Sequence, residues 1–98
     1  MPFVKTYTVT SIRHPDEVYT SADEFWAAHE PEVTNAGNAN AAFKADGRII
    51  EMSSTLNEDG KSLTFTKEYF DEEAYNEQLA DHAAAITENL TVCNFTEI

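Results

Sequence analysis

The chain has 98 residues, 42% of them hydrophobic, which suffices for one small domain around one core. Eighteen acids against six bases leave a net charge of −12, which argues against nucleic-acid binding and against docking on anionic membranes, since both surfaces would repel it. The single cysteine, Cys93, rules out an internal disulfide, and no apolar run approaches the roughly 20 residues that a membrane span needs.

The start, Met1-Pro2-Phe3-Val4-Lys5, carries no export pattern, so a non-secreted, cytoplasmic protein is expected. Phe3 to Ile12 alternates and is rich in β-branched and aromatic residues, which predicts a strand with Phe3, Lys5, Tyr7 and Val9 on one face. His14-Pro15-Asp16 ends it. Ser21 and Glu24 form a capping box that opens a helix from Ala22 toward Glu30, and Phe25, Trp26 and His29 share one sector of that helix. Pro31 kinks or restarts it. Asn35 to Asn40 reads as a loop and a candidate mobile flap, and Ala41 to Ala45 as a short strand before the Asp46-Gly47 turn.

Arg48 to Asn57 and Lys61 to Phe70 read as a hairpin about Asp59-Gly60. Its inner face would carry Ile50, Met52, Leu56, Leu63, Phe65 and Tyr69, and its outer face Ile49, Glu51, Ser53, Thr55, Thr64 and Thr66. Asp71 to Leu90 predicts a second helix with an acidic first turn and a stripe of Tyr75, Leu79, His82 or Ala83, Ile86 and Leu90. Thr91 to Ile98 supplies a last strand, with Cys93 and Phe95 inward.

This order is βαββαβ: an α+β, ferredoxin-like domain, a four-stranded antiparallel sheet with both helices on one face. The other face is rich in Thr and Ser with Val4, Ile12, Ile49 and Phe70 among them, a mixture suited to pairing with a second copy as a symmetric homodimer. A monomer with a wet threonine face is the plainer alternative.

The segment from Phe65-Thr66-Lys67-Glu68-Tyr69-Phe70 through Asp71-Glu72-Glu73-Ala74-Tyr75-Asn76-Glu77-Gln78-Leu79-Ala80-Asp81-His82 resembles the dimeric α+β barrel superfamily, in particular its antibiotic-biosynthesis-monooxygenase branch. Glu68 and Tyr69 stand where that family ends a strand in Glu and an aromatic. Asp71, Glu72 and Glu73 make its acidic turn, and Ala74-Tyr75 its Ala-apolar pair. Gln78 holds the helical position that is often His there, and His82 lies one residue off a second such position. The resemblance implies a dimer with a pocket between helices and sheet in each subunit. Its members include cofactor-independent oxygenases, haem-degrading enzymes and proteins without known activity.

For an oxygenase-like enzyme acting on a planar hydrophobic compound, His82, Tyr69 and Trp26 are the candidate catalytic groups, since imidazole and phenol can accept or orient a proton. Phe25, His29, Tyr75, Asn76 and Gln78 are candidate ligand-binding residues. Read as bare pattern, the aromatics belong to the core and His82 is a packed histidine bonded to a carbonyl. No cofactor is called for. His14, His29 and His82 share no metal-ligand spacing, and Cys93 has no base beside it in sequence. A non-catalytic dimeric module that binds a ligand or a protein is the competing reading. Two further ones are an acidic nucleic-acid mimic and a tautomerase using a freed Pro2 amine with Arg13 as carboxylate anchor.

Overall fold

A computed structural model describes residues 2–83 and 91–98. Chain order is β1 (Phe3–Ser11), α1 (Ala22–Ala27), α2 (Glu32–Ala45), β2 (Ile49–Leu56), β3 (Ser62–Tyr69), α3 (Glu72–Asp81) and β4 (Cys93–Glu97). The strands form one antiparallel sheet in the order β2-β3-β1-β4, which is the ferredoxin-like arrangement. Among the described residues no helix is long and apolar enough to cross a membrane.

The first crossover differs from expectation. Residues 35–40 are not a flap and 41–45 are not a strand: both belong to α2. Local composition misled because the middle of this segment has alanine, asparagine and glycine but no large apolar side chain. The helix is held instead by four inward positions at helical spacing, Val33, Ala36, Asn40 and Phe43, of which the last two are buried. Tertiary contact here outweighs the modest helix propensity of asparagine. Pro31 occupies the N-terminal boundary, where its missing N–H costs nothing, and the Glu30–Pro31 peptide is cis.

Caps follow the sequence more closely. Ser21 accepts from the Glu24 amide at 3.1 Å, while the Glu24 carboxylate accepts from the Thr20 hydroxyl at 2.7 Å. Asp71 accepts from the Ala74 amide at 2.8 Å and opens α3 beside Glu72 and Glu73. This helix ends at Asp81. The predicted stripe positions Ile86 and Leu90 lie outside the described residues. Leu79, expected inward, is 37% exposed, and the buried positions are Ala74 and Gln78.

The hairpin carries a second correction. Ile49 is buried and Ile50 exposed, the reverse of simple alternation. Ile49 pairs with Tyr69 and Glu51 with Glu68, so Ile50 is an extra residue in a β-bulge that resets which side chains face inward. Gly60 sits in the turn at φ +69°, with Tyr19 N donating to its carbonyl at 2.7 Å. A Cβ there would stand 2.7 Å from Val18 Cγ1 and 3.2 Å from the Tyr19 carbonyl oxygen. Gly60→Ala is therefore expected to lower stability by about 1–2 kcal/mol, read as a urea midpoint; an unchanged midpoint would contradict the turn geometry.

Two apolar clusters fill the space between helices and sheet. One joins Val9, Tyr19, Phe25, Leu63, Val92 and Cys93. The other joins Phe43, Ile49, Tyr69 and Ala74, with Phe3, Met52 and Tyr75 at its margin. Along β3 the inward residues run Leu63, Phe65, Lys67, Tyr69, so a lysine stands at the seam between the clusters.

Candidate functional site

Strand alternation sends Lys67 inward, and the side chain is fully buried. Its Nζ donates to Asn40 Oδ1 of α2 at 2.7 Å. The same oxygen accepts from Gln78 Nε2 of α3 at 2.9 Å, and Gln78 Oε1 accepts from the Tyr69 hydroxyl at 2.6 Å. Three elements are thus tied by one buried polar chain, Lys67–Asn40–Gln78–Tyr69. Burial disfavours the ammonium and brings Lys67 down to about 7. Burial, with Tyr7 and Tyr75 adding to it, drives Tyr69 well above the ordinary phenol range. Lys5 of β1 is the cross-strand partner of Lys67, its ammonium paired with Glu97 at 2.6 Å.

Beside this chain lies a cavity of about 370 Å³ between α1, α2 and the inner face of the sheet. Trp26, Phe65 and Phe95 form its aromatic wall, with ring centroids 5.8–6.3 Å apart. Met52 and Val33 add apolar surface, and Asp23, Ser53, Ser54 and Asn40 supply polar groups. The Trp26 indole is held in place by donating to Ser54 Oγ at 3.0 Å. Asn40 belongs both to the cavity wall and to the buried chain.

Of the residues expected to carry chemistry, Trp26 alone lines this cavity. Tyr69 is fully buried in the second cluster with its hydroxyl given to Gln78. His82 was expected to turn toward the sheet. It is instead the exposed C-cap of α3, its ring edge-on to Phe43 at 5.9 Å. Phe25 belongs to the first apolar cluster and stacks on His29 at 4.6 Å. His29 is buried, and its Nδ1–H donates to the Phe25 carbonyl at 2.6 Å while Nε2 accepts from the Ser11 hydroxyl at 2.7 Å. Burial lowers its pKa, so the neutral ring suits that pair of bonds. Tyr75 is half-buried against Phe3 and Lys5, and Asn76 is exposed. Gln78, a candidate ligand-binding residue at a position that is often His in the resembled family, is buried within the polar chain.

Several further groups are committed elsewhere. Arg13 grips the Glu32 carboxylate at 2.7 and 3.0 Å and the Glu30 carbonyl at 3.0 Å, so it ties the connection after β1 to the α1–α2 junction and is not open to a substrate carboxylate. Cys93 is buried, and burial pushes its thiol up to about 11, an unreactive value. Among the described residues no three His, Cys, Asp or Glu side chains are grouped to hold a metal ion.

Lys67 and Asn40 escaped sequence reasoning. The signal for Lys67 was present: it lies two residues from both Phe65 and Tyr69 and so on their face. Nothing local marks Asn40, one asparagine among several in a segment read as loop.

Comparison with protein-family models, with curated proteins and with solved structures returns no match to this chain.

Proposed function

We propose that the protein binds a planar, mostly apolar small molecule in the cavity beneath α1 and α2, and does so as a dimeric α+β barrel of the kind its β3–α3 segment resembles. The supporting observation is the cavity itself. Its 370 Å³ falls within the range of about 300–1,000 Å³ usual for small-molecule sites, and an aromatic wall with a few polar groups is the usual lining. Binding is preferred to oxygenase-like turnover because neither His82 nor Tyr69 offers a group to this cavity.

Dimerisation fits the outer sheet face, where Val4, Ile50 and Phe70 are each 45% exposed or more beside rows of threonine. A stable 11 kDa particle in sedimentation at micromolar concentration would reject the dimer.

The chain has one tryptophan, so the Trp26 indole N–H gives a single resonance that reports on the cavity. Titration with 2-ethylnaphthalene is expected to shift it in a saturable manner. Gly37 lines the cavity, and a Cβ added there meets nothing within 4 Å. Gly37→Leu should therefore keep or improve the helix, by up to about 1 kcal/mol, while blocking the titration. Equal binding by this variant, or no shift in the parent protein, would reject the cavity as the site.

A further inference from the structure

Asn40 is 7% exposed and lines the cavity, yet only half of its amide is engaged by the protein. Its Oδ1 accepts from both Lys67 Nζ and Gln78 Nε2. Lys67 Nζ has hydrogens to donate in either charge state and Gln78 Nε2 donates to the same atom, so the atom that meets both is the oxygen. With Oδ1 pinned toward the buried chain, the planar amide turns Nδ2 the other way. Nδ2 makes no hydrogen bond to any described residue. Nor is it sealed in protein, as the unpartnered Tyr7 and Tyr19 hydroxyls are. Asn40 belongs to a cavity wall that is otherwise largely aromatic and aliphatic, and its two N–H hydrogens have no acceptor among the described residues.

We propose that Asn40 Nδ2 donates to a carbonyl oxygen of the bound molecule, so that the cavity selects flat aromatic ketones over hydrocarbons of the same shape. This rests on the cavity being the binding site. Two donors on Oδ1 polarise the amide and strengthen Nδ2 as a donor, since linked hydrogen bonds reinforce one another away from water. They also hold the side chain in one rotamer, so little entropy is lost when the ligand arrives. A hydrocarbon in the same place would cover Nδ2 and leave it without an acceptor, which costs more than a missing contact.

The test compares 2-acetylnaphthalene with 2-ethylnaphthalene, which differ chiefly by an oxygen in place of two hydrogens. Dissociation constants are read from the Trp26 indole resonance. The ketone is expected to bind about tenfold more tightly. Asn40→Asp keeps an oxygen to accept from Lys67 and Gln78 but replaces the donor with a second acceptor, so the preference should vanish or invert. Equal affinity of the parent protein for the two compounds would overturn the proposal while leaving the cavity as a hydrophobic site. A preference that survives Asn40→Asp would also overturn it. If neither compound moves the resonance, the cavity reading falls and this inference with it.

Discussion

Lys67→Met should remove a pH dependence that the parent protein shows between pH 6 and 9. Burial brings the folded-state pKa of Lys67 to about 7, against the ordinary lysine value of 10.5. Between those values the unfolded chain carries a proton on this amine and the folded chain does not. Folding then releases a proton, and stability rises with pH across the window, from about 7 upward. Below it both states are protonated, and the folded state bears the cost of a buried ammonium. From pH 6 to 9 this single group should add about 2–3 kcal/mol to the parent protein's stability. Methionine has a similar length and no titratable group, and Asn40 keeps its bond from Gln78. Urea midpoints at pH 6, 7, 8 and 9 check the point: the parent midpoint should climb and the variant's stay nearly level. His29 contributes its own slope at the acid end, but it is present in both proteins and cancels in the difference. Parallel profiles would show that Lys67 keeps an ordinary pKa and that the buried chain is built differently.

The second large effect separates two neighbours that the sequence groups together. Phe25 and Trp26 both come from α1, yet Phe25 is fully buried and Trp26 faces the cavity. Phe25 stacks on His29 at 4.6 Å and meets Tyr19 edge-on at 5.2 Å, so it anchors α1 to the first cluster. Phe25→Ala should cost about 3–5 kcal/mol of stability, because it loses buried area and leaves a void between a helix and a sheet that cannot both collapse. Trp26→Ala should cost less stability, since the indole is only half-buried, but it removes the centre of the aromatic wall. Calorimetric titration with 2-ethylnaphthalene is expected to show at least about tenfold weaker binding for Trp26→Ala. If Trp26→Ala proves the more destabilising change, or leaves affinity untouched, the division between core and cavity wall is wrong.

Much of the candidate site was out of reach of linear reading because its members meet only in three dimensions. Helical spacing puts Trp26 on the inner side of α1, where it lines the cavity. The stripe from Tyr75 to Leu90 implies one continuous helix with His82 inward, whereas the described helix stops at Asp81 and His82 is exposed. Gln78 stands out in the sequence only by its place in the β3–α3 resemblance. Its burial follows from a different cause, the chance to satisfy both ends of its amide on Tyr69 and Asn40.

Period and punctuation settled the architecture in advance. Alternation in Phe3–Ser11 and Ser62–Tyr69, the Asp59-Gly60 turn, and the caps at Ser21 and Asp71 are local signals, each readable within a few residues. They determined the order of the four sheet strands with α1 and α3, and that order with short connections leaves the ferredoxin-like sheet as its natural closure. Tertiary structure alone decided the helix over Glu32–Ala45, the reset of faces at Ile50, and the meeting of Asn40 with Lys67 across 27 positions. A helix of asparagine and alanine forms where a sheet offers it Phe43's pocket and a buried amine to bond. A bulge is a matter of pairing register, which no single strand contains. A buried lysine is tolerated only where distant groups converge on its nitrogen, so its surroundings are written in the fold and not in its neighbours along the chain.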